Sequence, residues 1–487
     1  MSEIHIDRLS KVIAETPDPR SDEREKLFPC YYSHWCPYQY LKFHLGLRDT
    51  VFLAHTPQGC VGAERAFEST YTGQYFGEPF YYTPCTDMRE NDIILGGADK
   101  LREALFEVER VYEPKLIIVL FSCATGMIRD PIDEVVEEVK GKIKAKVVTV
   151  DGMGLRNWAC GIGYEPGPAA LGKLVDPPKH KLKDAVNIVG VTKEIYHVGR
   201  FINDTHEYVR LVQALGLKVR AVLWQGATVE DLVGAAEAEF NAIDCPQWGY
   251  PLAKTIYEKY GVPHGTKALP LGVEATRRWM LDVARHFGLE SAAERVFAEE
   301  YARIKDVWEK ARTLVEGKLA LIDGGDPMGA AGRCLTWARL ASELGMRPVI
   351  FNIPPLELKG KIHHVNFALA DGNDPEIVWT SEYAYHRRLQ PWRVLERLGA
   401  SPDDVGTYVG DVFTRAMAKE GKPVFDPSNS PRVMLTTHMS RRAGSPGRRV
   451  GFVGARSFAE DIINTVAMAK KRVKPSLRGR LAGLRVS

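Results

Sequence analysis

No two of the eight cysteines form a C-x2–4-C pair, and no G-x-x-x-x-G-K-S/T phosphate loop occurs. The first absence excludes the common zinc folds and the small ferredoxin clusters, whose ligands come in close pairs. The second assigns any ATP hydrolysis to a separate protein. The Gly-rich IDGGDPMGAAGRC (322–334) follows an apolar run but lacks the spacing of a dinucleotide fingerprint. No run of about 18 apolar residues is present, so no membrane span is expected. The first 26 residues are charged throughout and carry no apolar signal core, so a cytoplasmic protein is expected. Charge of one sign is also lacking. Lys+Arg 65 against Asp+Glu 62 leaves +3, too mild to imply nucleic acid. The basic tail (Lys470, Lys471, Arg472, Lys474, Arg478, Arg480) reads as a solvated end.

What is present is a rhythm of short apolar runs followed by helical patterns. KLIIVLFS (115–122), KVVTVDG (146–152), VNIVGV (186–191), VRAVLW (219–224), LALIDGG (319–325), PVIFNI (348–353) and EIVWTS (376–381) have the composition of buried parallel strands. Their near-continuous β-branched character suits strands covered on both faces. Amphipathic stretches such as DPIDEVVEEVKGKI lie between them, and this alternation predicts doubly wound α/β domains. At 487 residues the chain has room for about three domains. A Pro/Gly-rich stretch at 163–185 and a long charged helix ending near Gly317 mark boundaries. The expected organisation is an N-terminal extension (1–35) and α/β domains at 36–182, 183–316 and 317–487.

The cysteines are too scattered for a small disulfide scaffold, and a reducing compartment disfavours disulfides. They are therefore buried thiols or metal ligands. Cys160 and Cys334 fit the first description. Cys60 sits in HTPQGCVG after the apolar run TVFLAH, and Cys123 ends the strand KLIIVLFSC. In doubly wound sheets, ligands gather beyond the carboxyl ends of strands. Soft thiolates there suit iron–sulfur clusters. Cys36 stands 24 residues before Cys60. Cys245 ends the run EFNAIDC, again before a helical pattern.

The segment CPYQYLKFHLGLRDTVFLAHTPQGC, followed by CTDMRENDIILGGADKLREALFEVERVYEPKLIIVLFSCATGMIRDPIDEV, resembles the catalytic component of nitrogenase and its relatives. The resemblance runs from about residue 28 to residue 470. It implies three Rossmann-like domains with parallel sheets, with cluster sites between domains and at a subunit interface. It implies that Cys36, Cys60 and Cys123 give half the ligands of an interface cluster of the 8Fe-7S type, completed by a homologous second subunit in a heterotetramer. Cys30 and Cys85 are additional thiols near that set. The resemblance also implies a separate dimeric iron–sulfur ATPase as electron donor and a small-molecule substrate. Cys245, followed by a helix ending in KYGVP, resembles the position at which the α-type subunit anchors a larger iron–sulfur active-site cofactor.

The chain departs from that pattern in places. The family's second cofactor contact is a histidine near the C-terminus, shortly before a G-F/Y-x-G segment. Here the segment is GFVG (451–454), and Val450 precedes it. His438 is the nearest upstream candidate ligand, and His197 lies in a segment comparable to one lining the cofactor pocket. Arg65, Arg129 and the arginines of 441–449 are candidates to balance an anionic cluster. KALPLGVEATRRW resembles the β-type subunit, so α-like and β-like marks are mixed. The expected function is therefore a nitrogenase-like, oxygen-sensitive reductase subunit, with methylthio-alkane reductase, which cleaves carbon–sulfur bonds, as the expected activity. The alternatives are a cofactor-assembly scaffold, or a nitrogenase or tetrapyrrole reductase subunit.

Overall fold

The computed structural model describes residues 3–18, 47–62, 83–153, 165–191, 201–224, 226–324, 330–380, 389, 391–401, 404–410, 433–436 and 450–472. Three sheets organise them. The first contains β2 (Thr50–His55), β3 (Leu116–Phe121) and β4 (Lys146–Asp151), all parallel. The second has β5 (Ala185–Val189) between β6 (Lys218–Leu223) and β7 (Phe240–Ile243), again parallel. In the third, β8 (Leu319–Asp323), β9 (Arg347–Phe351), β10 (Glu376–Thr380), β11 (Val405–Gly410) and β12 (Val433–Thr436) run parallel. β1 (Ile4–Arg8) closes one edge of this sheet antiparallel to β10.

The expected α/β class and parallel sheets are thus observed, and each of the seven apolar runs forms a strand. The reason is visible in β3. Leu116, Ile118 and Leu120 face one core with Val148 and Val150, while Ile117 and Val119 face another with Leu101, Leu105 and Val135. Alternate side chains serve opposite layers, so no position of the strand admits a charge. The third sheet repeats this pattern. Leu319 and Leu321 point to one core, and Ala320 and Ile322 to the other. Each large apolar side chain buried this way contributes roughly 1.5–3 kcal/mol.

The N-terminal segment, expected as an extension, places β1 on the third sheet. Ile4 and Ile6 pack against the outer core of that sheet. The charged residues that alternate with them masked the strand in the sequence. Far along the chain, the Gly451–Arg472 helix packs along the Glu290–Val315 helix. Among the described residues no helix is long and apolar enough to cross a membrane.

Register fixes where the chain leaves each sheet. His55 pairs with Phe121 and Phe121 with Asp151, so all three strands of the first sheet stop at one level. In the second sheet Val189 pairs with Ile243, so Gly190 and Asp244 leave together. The Pro246–Tyr260 helix is seated directly on that edge. A Cβ on Gly249 would lie 2.5 Å from the Val189 carbonyl oxygen, and one on Gly190 (φ +93) would lie 2.8 Å from Gly249 Cα. Both contacts are with backbone, which cannot swing aside. The Gly249→Ala substitution should therefore cost about 1–3 kcal/mol, read as a lowered urea midpoint. An unchanged midpoint would contradict the close seating of this helix.

Candidate metal centre

Two edges carry the candidate residues. At the first, β2 runs through His55 and Thr56 into a helical stretch at 58–62 that holds Cys60. β3 runs through Ser122, the N-cap, into a short helix that opens on Cys123. Because the strands are adjacent and end flush, Cys60 and Cys123 emerge on the same side of the sheet. Cys85 joins them from a third segment. Its backbone forms a parallel bridge with Ala54, its thiol donates to the Thr56 carbonyl at 3.2 Å, and its sulfur accepts from the Asp87 N–H at 3.3 Å. All three are half-buried thiols outside any disulfide, and Cys60 and Cys85 pack against the core shared by the first two sheets.

A buried polar network fixes this edge. The Thr56 hydroxyl donates to Ser122 Oγ at 2.6 Å, and the Thr125 hydroxyl lies 3.0 Å from the His55 carbonyl. His55 Nε2 is 2.7 Å from Asp130, and its Nδ1 is 3.1 Å from the Thr86 hydroxyl. Asp130 also accepts the Gly97 N–H, at 2.9 Å, at the start of the Ala98–Tyr112 helix. One carboxylate thus ties the Cys60 strand, the Cys123 loop and a long helix together. Burial holds the His55 imidazole below its ordinary range, although Asp130 pulls the other way. The neutral ring then donates from Nε2–H to the carboxylate and accepts the Thr86 hydroxyl at Nδ1.

At the second edge, Cys245 is the N-cap of the Pro246–Tyr260 helix, with Pro246 in the first turn. No acidic residue stands in that turn, and the positive end of the helix dipole favours an anionic ligand there. Cys245 Sγ lies 3.6 Å from His364 Nε2 on the Ile362–Ala370 helix. His363 Nε2 is 3.2 Å from Glu165 Oε1, the same oxygen that accepts from Gln247 Nε2 at 3.4 Å. Tyr208 donates to Asp244, and Trp279 Nε1–H donates to the Ile243 carbonyl at 2.9 Å, which steadies the strand end below the thiol. His364 was not identified from the sequence. It reaches Cys245 across 119 residues, and no local pattern could have signalled it.

The remaining expected residues divide clearly. Cys36, His438, Cys30, Cys160, His197, Arg65 and the 441–449 arginines lie outside the described residues. Arg129 is exposed on the turn after the Cys123 helix. Cys334 is a core thiol, pushed up to about 12 by burial, and suits no ligand role. Val450, where the resemblance calls for a histidine, is 3% exposed in the core beside Phe452. Among the described residues, no three His, Cys, Asp or Glu side chains enclose a common metal position.

The chain is similar to several known proteins. The family model described as nitrogenase component 1 type oxidoreductase matches residues 43–390. The nitrogenase molybdenum-iron protein alpha chain of Methanosarcina barkeri is 28% identical over 62% of this chain and 56% of its own length. The same-named chain of Clostridium pasteurianum is 26% identical over 75% and 68%. The nitrogenase iron-molybdenum cofactor biosynthesis protein NifE of Clostridium pasteurianum is 28% identical over 62% and 64%. The chain therefore spans little more than half the length of the first of these relatives. A solved structure of nitrogenase Cp1 at pH 5 superposes with a TM-score of 0.66 over 96% of this chain and 99% of its own, at 21% identity.

Two measurements test the network at the first edge. Asp130→Ala strands the buried Gly97 N–H and the His55 N–H, and should cost roughly 3 kcal/mol in urea unfolding. A loss below roughly 0.5 kcal/mol, the range of ordinary surface changes, would mean the network is idle. For pH, His55 binds its proton more weakly folded than unfolded. Its contribution is thus fully present above the ordinary value of 6.5 and is lost as the pH falls from there through the folded pKa. Urea midpoints of the native chain should drop between neutral pH and mildly acid pH more than those of His55→Gln. Equal drops would contradict a neutral buried imidazole.

Proposed function

The chain belongs to the nitrogenase component 1 type oxidoreductase family, and on that premise we propose that it is one subunit of a multi-subunit reductase holding half of an interface iron–sulfur cluster. Cys60 and Cys123, with Cys36, are its proposed ligands, and the proposed cluster is of the 8Fe-7S type. The observation that carries this reading is the flush carboxyl edge of β2 and β3, beyond which both Cys60 and Cys123 lie. Such a cluster, when bound, supplies a one-electron relay between a separate iron–sulfur ATPase and the substrate.

The donor set fits a cluster better than a single ion. The thiols are soft and in no disulfide, yet no three described donors enclose one point. An incomplete set calls for a partner chain. Ile94, Leu95 and Met127 stand 73%, 84% and 66% exposed on the segments around Cys85 and Cys123. Large apolar side chains so exposed suit a subunit interface, here with a homologous subunit in a heterotetramer. The chain's own residues do three things at this edge. The His55–Asp130–Gly97 network fixes the strand ends, the shared core excludes water behind the thiols, and the backbone bonds around Cys85 hold the intervening loop. Burial and hydrogen bonding of this kind set a cluster's potential.

Cys245 is the proposed anchor of a second, larger iron–sulfur cofactor. Its thiol stands at a helix N-terminus facing an imidazole, a soft donor in a setting that favours negative charge. As substrate we propose small methylthio-alkanes, with reduction cleaving the carbon–sulfur bond. The support is the retained Cys245 together with valine in place of the cofactor histidine. The buried Val450 also favours a second reading, in which the subunit is a scaffold for cofactor assembly, in line with the similarity to NifE, named a cofactor biosynthesis protein.

The cysteine assignment is tested on the complex purified anaerobically with its partner. Cys60→Ala and Cys123→Ala should each lose most of the interface-cluster signal in electron paramagnetic resonance. Full retention in both would remove the assignment. Turnover separates the two readings. Supplied with its ATPase and a reductant, a reductase should release a thiol and a hydrocarbon together from ethyl methyl sulfide, and Cys245→Ala should abolish this. A scaffold would turn over neither that thioether, dinitrogen nor a chlorophyll precursor.

A further inference from the structure

We propose that the cleft at the amino-terminal edge of the first sheet binds a nucleoside diphosphate, with its phosphates on Lys142, Lys144 and Lys146 and its base on Phe106. This site is independent of the reading of the cysteines. β3 and β4 begin level, with Leu116 beside Lys146. The two strands are six residues long, which puts the cleft about 20 Å from the carboxyl edge beyond which Cys123 lies.

The cleft has a volume of about 840 Å³, within the range of small-molecule sites. One wall is the Ala98–Tyr112 helix, where Phe106, Glu109 and Arg110 share a face at helical spacing. Another is the segment that leads into β4 and carries the three lysines. The third is the Val229–Val233 helix, which follows β6 of the second sheet. Lys115 Nζ lies 2.7 Å from Glu230 Oε1, so an ion pair joins the start of β3 to that helix. A ligand here therefore touches the helices and strands of two α/β units at once.

The charges in the cleft are unevenly committed. Arg110 pairs with Glu107, and Lys115 pairs with Glu230 and Asp49. Lys142, Lys144 and Lys146 have no ion-pair partner among the described residues. Glu109 does not neutralise them. Its carboxylate accepts the Lys144 and Ala145 N–H groups at 2.9 and 3.2 Å, which fixes the loop that bears the lysines. Gly141, at φ +80, turns the chain into that loop. The Lys142 N–H then donates to the Val139 carbonyl and the Lys146 N–H to the Lys115 carbonyl, each at 2.9 Å. Glu113 is the remaining carboxylate of the lining, so the surplus is positive. Three ammonium groups on one short, fixed segment repel one another, and a chain of phosphates relieves that repulsion. Lysine meets phosphate as a compact point charge.

Phe106 separates a nucleotide from a bare anion. Leu101, Leu105 and Val108 of the same helix lie in the core, whereas Phe106 is 40% exposed and lines the cleft. Ile143, Pro114 and Val233 add to the apolar surface beside it. A phosphate ion gains nothing from an aromatic face, but a base stacks on one.

The test uses the purified complex without its ATPase. ADP, pyrophosphate and adenosine are titrated calorimetrically at low salt. ADP should bind saturably, pyrophosphate more weakly and adenosine most weakly, and added salt should weaken ADP. Replacing both Lys144→Ala and Lys146→Ala should lower the ADP affinity at least about tenfold. Phe106→Ala should weaken ADP and leave pyrophosphate unchanged. Lys140→Ala, which removes an ammonium paired with Glu137, should alter neither. Thermal melts of the lysine variants should match the native chain, which separates lost binding from lost folding. The readout needs no cluster, so it stands whether or not the cysteine assignment does. The proposal is overturned if ADP does not bind saturably, or if the double lysine variant binds it as the native chain does. ADP affinity unchanged by Phe106→Ala overturns the placement of a base there. Binding of polyglutamate without binding of ADP marks an acidic-peptide surface and overturns the proposal as well.

Discussion

Everything at the first candidate site depends on the in-register parallel pairing of β2, β3 and β4. Parallel strands covered on both faces can release the chain only at their ends, and here the three ends are level. Cysteines distant in sequence are brought to one edge with no local motif. Thr56, Ser122 and Thr125 lock the two exits to each other, and His55 with Asp130 locks them to the next helix. Each of these polar groups is buried, so its bond is costly to break. The thiols thus stand on a rigid floor.

The second site follows the same logic with a tighter fit. Gly190 and Gly249 allow the Pro246–Tyr260 helix to start directly on the sheet, which places Cys245 at the helix's positive end. The cleft is then closed by a helix from the third sheet. Joining layers this way makes the site depend on how the second and third sheets' helices meet, and Glu165 bridges the two helices that bear Cys245 and His364.

Much of this was legible in the sequence because strands buried on both faces need apolar residues at every position. The runs at 116–121 and 319–323 could hardly be anything else. The ends of strands then marked Cys60, Cys123 and Cys245. β1, β11 and β12 were not read: IHIDR alternates polar and charged residues with its isoleucines, VGTYVG is interrupted by glycines, and VMLT is only four residues long. The Cys245–His364 approach was equally invisible. It arises from the packing of two helices more than a hundred residues apart, and the adjacent His363 gives no hint which imidazole turns inward.

The central claim is that this chain carries a many-iron cluster shared with a homologous partner. Its most direct test is iron and acid-labile sulfide analysis of the complex purified without oxygen. The account predicts many irons per heterodimer, with sulfide in comparable amount, and loss of that iron when the two subunits are separated. Iron near zero in an intact, folded complex would contradict it.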